Sequence, residues 1–455
     1  MERRKFLKTL GGLPAASALL SAADAGRPNI VFILTDDQRW DEMSIAGHPF
    51  LKTPNMDRVG REGVLFKNCF VSIPLCSPSR ASFLTGKYPH SHKIFDNTNR
   101  SERSYELITY LLLMQRAGYE TGYVGKWHMG NDDSPRPGFN RWVSFRGQGQ
   151  YIDPLLNIDG KQVKNEGYMT DLLNGHAVDF LKQKHEKPFL LYVAHKAVHG
   201  PFTPAERHKN LYSDQPIARA PNAKDTLEGK PNLQRKIEKA PQPGPGTGSP
   251  DDLIRNQMRA LMAVDEGVGQ ILKTLEETGQ LDKTFVIFTS DNGYFWGEHG
   301  LGDKRAAYEE SIRIPLLIRY PKLIKAGSVR EQMALNIDIA PTVLQLAGLP
   351  VPRDMHGRSL LPVLRSEKAR LRTSFLTEYY MEQQTPRFPT WQAARTEQWK
   401  YIHYIDPPGA PDSLDELYDI KADPYEMKNL IGDPKLAATL KRMKQELRKL
   451  VRTTP

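Results

Sequence analysis

Two pairs of oxygen-bearing side chains follow two apolar segments of the sequence. Asp36 and Asp37 are adjacent just after the run NIVFIL, and Asp291 and Asn292 are adjacent just after the run FVIFT. Carboxylates held close together repel one another unless a cation or a proton lies between them, and hard oxygen donors favour Ca²⁺ or Mg²⁺ over Zn²⁺. Taken singly, each pair is also typical of a turn or a helix cap. A divalent cation site is favoured over these ordinary roles only through the residues that accompany the pairs elsewhere in the sequence.

A cysteine begins the string CSPSRASFLTG, which runs from Cys76 to Gly86. The chain has only two cysteines, Cys69 and Cys76, so a disulfide-rich scaffold is excluded. In an exported protein the thiol of Cys76 has three interpretations: a small buried side chain, a disulfide with Cys69, or a nucleophile paired with a histidine. The residues around Cys76 are more informative than the cysteine itself.

This string resembles the signature of the sulfatase family, whose cysteine is oxidised to formylglycine by a maturation enzyme. A second string, GYETGYVGKWH from Gly118 to His128, resembles the second signature of the same family. Further matches follow in the family's order at His199, residues 290–293, His299, Lys304, residues 313–315, residues 415–420, residues 423–424 and residues 429–430. The resemblance therefore extends over nearly the whole chain after residue 25.

The resemblance implies how residue 76 and the acidic pairs act. As the aldehyde hydrate, residue 76 supplies one hydroxyl that attacks sulfur and a second whose deprotonation expels sulfate. One divalent cation, with Ca²⁺ expected ahead of Mg²⁺, is held by five residues: Asp36, Asp37, Cys76, Asp291 and Asn292. A sulfate ester is a poor electrophile with a permanent negative charge, so such a cation and neighbouring basic side chains are what its hydrolysis needs.

The matched basic residues take roles that follow from the same chemistry. Arg80 pairs with the hydrate or with a ligand carboxylate, and Lys126 and Lys304 neutralise sulfate oxygens. His128 is the candidate base for the second hydroxyl, and His199 is the candidate acid for the leaving oxygen. The two histidine roles are interchangeable on the sequence, and Lys304 is a second candidate for the acid. Three neighbouring side chains receive no role: His195, Glu298 and His299.

The elements that must position these side chains alternate between apolar runs and amphipathic segments. Strands are predicted over residues 29–34, 119–124, 188–194 and 285–289, and helices over residues 105–116 and 253–275. This alternation predicts an α/β fold with a mostly parallel central sheet flanked by helices, with ligands beyond the carboxyl ends of the strands. The resemblance implies an alkaline-phosphatase-like fold with a small C-terminal subdomain that holds an antiparallel sheet.

Changes in composition suggest where the domains begin and end. Residues 26–360 are predicted to form the catalytic domain, which contains a polar, Pro/Gly-rich insertion at residues 206–250 that we expect at the surface and mobile. Residues 361–455 form the C-terminal subdomain. It contains short strands near residues 375–380 and 399–404 and a terminal amphipathic helix with Leu436, Leu440, Met443, Leu447 and Leu450 on one face.

Residues 1–25 resemble a twin-arginine signal peptide. Arg3 and Arg4 precede a mild apolar stretch at residues 11–22, and Ala23 to Ala25 form a small-residue cleavage site. The alternative is a disordered basic tail. We therefore expect export by the bacterial twin-arginine machinery to the periplasm or the cell exterior.

The overall charge narrows the possible partners. The chain has a net charge of +10 at pH 7, which suits an anionic substrate, but no dense block of Lys and Arg that would indicate nucleic-acid binding. No window of about 18 uninterrupted apolar residues is present, so stable membrane insertion is not expected.

Three strings bear on the substrate. Residues 144–151, 153–160 and 197–204 are similar to bacterial N-acetylglucosamine-6-sulfatase-like members that act on sulfated glycans, although the first is equally typical of a turn. A sulfated saccharide is therefore the predicted substrate. Two alternatives remain: a phosphoester or phosphonate hydrolase of the same superfamily, and a non-catalytic, glycan-binding pseudo-sulfatase. The formylglycine signature disfavours the first, and the presence of every expected catalytic residue disfavours the second.

Overall fold

Apolar runs form the centre of a large mixed sheet in the computed structural model, which describes residues 26–98, 101–238, 240–405 and 414–454. The predicted signal peptide lies outside the described residues. The strands of this sheet are β1 (Asn29–Thr35), β2 (Val64–Phe70), β3 (Glu120–Gly125), β4 (Arg141–Ser144), β5 (Leu155–Ile158), β6 (Lys161–Lys164), β7 (Phe189–Ala194), β8 (Thr284–Ser290), β9 (Arg313–Arg319), β10 (Ser328–Arg330) and β11 (Ala334–Leu335). The four strands predicted from apolar runs are confirmed to within one or two residues at each end.

The order of the strands is β10-β2-β9-β8-β1-β7-β3-β4-β5-β6, with β11 also paired to β2. Strands β8, β1, β7, β3 and β4 are parallel to one another, and β9 is antiparallel to both β8 and β2. Every residue of β1, β7 and β8 is buried, as expected for strands covered on both faces. The carboxyl ends of β1, β3, β7 and β8 therefore share one edge of the sheet.

Helices cover both faces of the sheet. They are α1 (Pro54–Arg61), α2 (Cys76–Thr85), α3 (Pro89–His92), α4 (Ser101–Tyr105), α5 (Tyr110–Arg116), α6 (Met169–Lys182), α7 (Pro231–Gln234), α8 (Asp251–Glu277), α9 (Glu309–Ile312), α10 (Ile339–Leu346), α11 (Leu361–Arg365) and α12 (Ala437–Thr453). Helices α6 and α8 pack together over the core on one face, whereas α2, α5 and α10 pack over the other. Within the described ranges, none of these helices has the length and apolar character needed to cross a bilayer.

The helix predicted over residues 105–116 is wrong in its first half. Helix α4 ends at Tyr105, and α5 begins only after Thr109, whose side chain accepts a hydrogen bond from the backbone N–H of Leu112. A threonine that caps a helix in this way adopts an extended backbone, so the helix starts after it. Apolar spacing alone does not reveal such a cap.

The C-terminal sheet is antiparallel, as the resemblance implies. Its order is β12 (Ser374–Tyr379), β13 (Trp391–Thr396), β14 (Trp399–Tyr404) and β15 (Glu416–Asp419), and α12 packs against it through buried Met443 and Leu447. The ring of Phe375 in β12 lies 4.7 Å from the ring of Phe70 in β2. The two sheets therefore share one core.

Most of the insertion at residues 206–250 lies at the surface, as expected, but its middle part is anchored to the C-terminal region by buried polar side chains. The Asn222 side chain donates to the backbone oxygen of Tyr425, and the Lys230 ammonium donates to the backbone oxygen of Met427, at 3.2 and 3.0 Å. These anchors are polar side chains on backbone carbonyls. Such contacts produce no apolar periodicity in the sequence, so the composition of the segment could not predict them.

Candidate active site

Neighbouring parallel strands bring the acidic residues together. Thr35 of β1 pairs with Ser290 of β8, so the residues that follow these strands lie side by side. Asp36, Asp37 and Asp291 are buried, and one carboxylate oxygen from each lies within 4.8 Å of the others. The backbone N–H of Asp37, in the left-handed region at φ 64°, donates to Oδ1 of Asp291 at 3.2 Å. The two predicted pairs therefore form one cluster.

The donor set of this cluster fits a divalent cation. Asn292 is fully buried, and its Nδ2 donates to Oδ1 of Asp37 at 2.6 Å. Its Oδ1 has no hydrogen-bond partner among the described residues. A buried carbonyl oxygen without a partner costs free energy, and three carboxylates beside it repel one another. A hard cation with oxygen ligands would give the amide oxygen a partner and reduce the repulsion among the carboxylates.

The pKa values of Asp36 and Asp291 are shifted in opposite directions. Burial would raise the pKa of Asp36, but Lys126, together with His199 and Arg80, holds that pKa well below its usual range. Burial, followed by the charge of Asp36, raises the pKa of Asp291 to about 6. Ionisation is thus favoured at Asp36 and disfavoured at Asp291 when only the chain's own groups surround them.

Cys76 is the first residue of α2, directly against the acidic cluster. Its Sγ lies 3.6 Å from Oδ1 of Asp36 and 3.1 Å from Nζ of Lys304. Cys69 and Cys76 are both free and buried, so a disulfide between them is wrong. Burial and then Asp36 raise the pKa of the Cys76 thiol to about 12, which leaves it protonated near neutral pH. An unmodified thiol would therefore be a weak nucleophile here.

Arg80 follows Cys76 by one helical turn and connects the two strand ends. Its Nε donates to Oδ2 of Asp291 at 2.9 Å, and one terminal nitrogen lies 3.0 Å from Oδ2 of Asp36. The other terminal nitrogen donates to the backbone oxygen of Lys126 at 2.7 Å. Of the two pairings expected for Arg80, the structure therefore has the one with the carboxylates.

Lys126 and Lys304 enter the cluster from two sides. The Lys126 ammonium contacts Asp36, and the Lys304 ammonium contacts Asp37. The residue before Lys126 must be a glycine for β3 and β7 to approach so closely here, because a Cβ on Gly125 would lie 1.8 Å from the backbone oxygen of Ala194. Burial opposes the charge of Lys304, but Asp37 outweighs it and raises the pKa of Lys304 well above its usual value.

The two candidate histidines border the same cluster. Nδ1 of His199 donates to the backbone oxygen of Gly200 at 3.0 Å, which leaves Nε2 facing Asp37 at 3.8 Å. Burial and then Lys126 lower the pKa of His199 to about 4, and they lower that of His128 well below its usual value. Nδ1 of His128 lies 3.4 Å from Oγ of Ser77. Both imidazoles are therefore neutral near pH 7 and able to accept protons.

Several residues of this region were missed by sequence reasoning. Oγ of Ser79 donates to the backbone oxygen of Asp291 at 2.6 Å, and Asn336 donates to Ser79 at 3.1 Å. Lys196 is buried beside Tyr151, whose hydroxyl donates to the backbone oxygen of His199. Ser79 and Tyr151 lie inside the matched strings, which was the available signal. Lys196 lies just before the string at residues 197–204, and the contacts of Lys196 and Asn336 depend on tertiary packing.

The three side chains without a role make contacts within the protein. Glu298 pairs with Arg39 at 2.9 Å, and Nδ1 of His299 lies 2.7 Å from the carboxylate of Asp225 in the insertion. His195 is fully buried, with Nε2 2.9 Å from Oδ1 of Asn174.

His195 is expected to make the protein less stable in acid. Burial lowers its pKa to about 4, against about 6.5 in the unfolded chain. Between these values the unfolded state binds the extra proton, so the free energy of unfolding falls as pH falls from about 6.5 to about 4, by up to about 3 kcal/mol. Urea unfolding of wild type and His195→Gln across this window is expected to give a slope smaller by about one proton in the variant. Equal slopes in wild type and in His195→Gln would contradict the assignment of this pH dependence to His195.

Two family models match the chain. The Sulfatase model matches residues 28–349, and a model of the C-terminal region of N-sulphoglucosamine sulphohydrolase matches residues 297–453. The first match contains both predicted signatures and all residues of the acidic cluster.

Individual proteins agree with these models. The chain is 34% identical to the N-acetylglucosamine-6-O-sulfatase of Bacteroides thetaiotaomicron, over 95% of this chain and 88% of that protein. The solved structure of BT4656 in complex with its substrate D-glucosamine-2-N,6-O-disulfate matches with a TM-score of 0.82 at 34% identity, covering 94% of this chain and 98% of that chain. The phosphonate monoester hydrolase of Agrobacterium radiobacter shares the fold, with a TM-score of 0.75 at 24% identity over 94% and 96% of the two chains.

Proposed function

Since the chain belongs to the sulfatase family, with its alkaline-phosphatase-like fold and sulfuric ester hydrolase activity, we propose that it cleaves a sulfate ester on a glycan or glycosaminoglycan-type saccharide. N-acetylglucosamine 6-sulfate is the specific candidate, because the Bacteroides relative bears that name at 34% identity over 95% of this chain. The substrate named for BT4656, a 6-O-sulfated glucosamine, supports the same sugar.

One observation carries the proposal: the side chain at position 76 lies between the acidic cluster and a lysine. Sγ of Cys76 is 3.6 Å from Asp36 and 3.1 Å from Lys304. A nucleophile that attacks a sulfate ester must approach an anion, and cations on both sides of it lower that barrier. The same contacts would hold the formylglycine hydrate, whose two hydroxyls supply a nucleophile and a later route for sulfate release.

We assign the cation to Asp36, Asp37, Asp291 and Asn292, with residue 76 completing the set. Three carboxylates and one unpartnered amide oxygen are hard donors, which favour Ca²⁺ or Mg²⁺. We propose Ca²⁺. When bound, the cation supplies positive charge that polarises a sulfate oxygen and lowers the pKa of a coordinated hydroxyl.

The chain's own basic groups have proposed roles around the substrate. Arg80 fixes the orientation of Asp36 and Asp291 through its two hydrogen bonds. Lys126 and Lys304 neutralise sulfate oxygens, and His128 accepts the proton of the second hydroxyl. His199 is the proposed acid for the leaving alcohol; because it is neutral in the free chain, it must first take up a proton at Nε2 as the anionic substrate binds. Lys304, whose raised pKa keeps it protonated, is the second candidate for this acid. Hydrogen bonding of Nδ1 of His199 to Gly200 leaves its Nε2 as the atom that handles the proton.

A phosphonate or phosphate monoester hydrolase is the second candidate, because such an enzyme shares this fold. That likeness is at 24% identity and concerns the fold alone. The alternatives differ in the charge of the substrate, since a phosphate monoester carries up to two negative charges and a sulfate monoester carries one. Matched sulfate and phosphate esters of the same sugar therefore separate them.

We further propose export by the twin-arginine machinery to the periplasm or the cell exterior, with residues 1–25 as the signal and a maturation enzyme as a partner. The test uses protein from its native cell. We expect the tryptic peptide from Asn68 to Arg80 to have lost H₂S and gained oxygen at residue 76, and N-acetylglucosamine 6-sulfate to release sulfate faster than the 6-phosphate releases phosphate. A mature chain that begins near residue 26 is the expected mark of export.

Unmodified cysteine in that peptide, together with faster release of phosphate, would contradict the sulfatase mechanism. Sulfate release from aryl sulfates without release from sulfated sugars would be consistent with the sulfatase mechanism but would overturn the assignment of a sugar substrate.

A further inference from the structure

Lys196 differs from the other buried lysines in lacking a carboxylate partner. The described residues contain five lysines that are almost completely buried, namely Lys126, Lys196, Lys230, Lys304 and Lys400. Four of them contact at least one carboxylate: Asp36, Asp225, Asp37, and Glu309 with Glu426, respectively. Among the described residues, no carboxylate oxygen lies within 4.0 Å of the Lys196 ammonium.

The contacts that Lys196 does make leave much of its charge uncompensated. Its Nζ donates to the backbone oxygen of Gly200 at 3.0 Å and lies 4.7 Å from the centre of the Tyr151 ring. An ammonium has three donors, and burying its charge without a partner costs several kcal/mol. Burial, and then the charge of Lys126, accordingly lower the pKa of Lys196 to about 8. Among the five buried lysines of the described residues, only Lys196, next to the candidate active site, lacks a carboxylate contact.

The position of Lys196 follows from the strand order. Strand β7 lies between β1 and β3, so the segment after it runs between the loops that carry Asp36 and Lys126. The backbone of Asp36 donates to Ala197 and accepts from Val198, at 3.0 and 2.8 Å, which ties the two loops together. The carbonyl of Gly200 accepts hydrogen bonds from both Lys196 and His199. Lys196 is therefore held beside the proposed acid.

We propose that Lys196 is a substrate-binding residue, whose ammonium contacts an anionic oxygen of the sulfate ester. The inference rests on the proposed function in one respect, namely that the substrate carries a sulfate. In the free chain Lys126 and Lys304 are already engaged with Asp36 and Asp37, whereas Lys196 has donors to spare. An arriving anion is the partner that the buried ammonium lacks. The proposed covalent steps do not involve Lys196.

The test is Lys196→Met, which keeps the length of the side chain and removes its charge. Because an unpartnered buried charge is removed, the melting temperature without ligand is expected to rise, by about 2 °C. Inhibition by inorganic sulfate is expected to weaken at least about tenfold, since a hydrogen bond to a charged group is lost. The KM for 4-nitrophenyl sulfate and for N-acetylglucosamine 6-sulfate is expected to rise by a similar factor.

Two controls make the result specific. Lys230→Met removes an equally buried lysine that pairs with Asp225 at 3.1 Å, and it is expected to lower the melting temperature without changing inhibition by sulfate. Lys184→Met removes a lysine whose side chain is 89% exposed and is expected to change neither. Sulfate also stabilises proteins nonspecifically, so all variants are compared at equal sulfate concentration and ionic strength.

A lower melting temperature or failure to fold in Lys196→Met, or unchanged inhibition by sulfate, would overturn the proposal, because Lys196 would then be structural. Failure of the proposed function is distinguishable: wild type would release no sulfate from the sugar ester, whereas the binding of inorganic sulfate and its loss in the variant would still be measured by thermal shift.

Discussion

Replacing Cys76 with alanine is expected to abolish sulfate release, by at least about 10⁵-fold in kcat, while the protein remains folded. The loss follows because alanine offers no atom that maturation could convert into a nucleophile. Cys76 is fully buried at the start of α2, and removing one sulfur atom there is expected to change the free energy of unfolding by about 1 kcal/mol or less. Activity and urea unfolding of the same preparation measure both quantities.

Cys69 provides the matched control. It is also free and buried, but it lies in β2 among apolar side chains, where burial raises its thiol pKa far above the usual value. Cys69→Ala is expected to lose about 1 kcal/mol of stability and to keep full activity. Substantial turnover in Cys76→Ala, or loss of turnover in Cys69→Ala, would show that the nucleophile has been misassigned.

Cys76→Ser sharpens the same prediction. Serine offers one hydroxyl in place of the two of an aldehyde hydrate, so it lacks the second hydroxyl whose deprotonation would expel sulfate. We expect at most a single turnover, with the sulfuryl group retained on the peptide from Asn68 to Arg80. Mass spectrometry of that peptide after incubation with substrate measures the retained group, and steady turnover by Cys76→Ser would contradict the role of the second hydroxyl.

Much of the acidic cluster could be predicted because strong local patterns define it. The runs NIVFIL and FVIFT are apolar on both faces, which is typical of strands buried inside a parallel sheet, and such strands end at a common edge. Asp36 and Asp291 follow these runs directly, so their meeting required only that β1 and β8 be neighbours. The chain's signature strings then identified Cys76 and Lys126 without any structural information.

Other features depend on distant contacts that carry no local pattern. Asn336 positions Ser79 from 257 residues away, and Asn222 reaches the C-terminal region from within the insertion. The buried charge of Lys196 is notable because no carboxylate oxygen of the described residues lies within 4.0 Å of it, which a sequence cannot reveal. Thr109 ends the predicted helix through one side-chain hydrogen bond. Such polar, single-residue contacts are satisfied by tertiary geometry and not by periodicity.

The second large effect is expected for Asp291→Asn, which should lose the cation and the activity together. The substitution removes one of three clustered carboxylates but keeps the size of the side chain. Loss of one charged ligand is expected to lower kcat at least about a thousandfold, because the cation's stabilisation of the developing charge is worth several kcal/mol. Elemental analysis after dialysis, carried out on the same samples as the assay, measures the bound metal.

Asp265 is the matched control for this substitution. It is buried, and burial raises its pKa to about 6 as well, but it accepts hydrogen bonds from the backbone N–H groups of Asn55 and Met56 at the start of α1. Asp265→Asn is expected to cost about 1 kcal/mol of stability, as for loss of a helix cap, with metal content and activity unchanged. Equal metal content in wild type and Asp291→Asn would contradict the ligand assignment.

The pKa of Asp291 gives this prediction a readout that does not depend on activity. In chelated wild type the pKa is raised to about 6, from 3.8, by burial and by Asp36. The folded state therefore binds the extra proton between these values, so the contribution of Asp291 to stability is fully present below about pH 4 and is lost as pH rises through 6, opposite in sign to that of His195. Chelation at pH 7 is expected to destabilise wild type but not Asp291→Asn, which has no carboxylate at this position. Between pH 7 and pH 5 chelated wild type is expected to gain stability relative to chelated Asp291→Asn, in which His195 titrates unchanged. A variant that still loses stability on chelation would place the cation elsewhere.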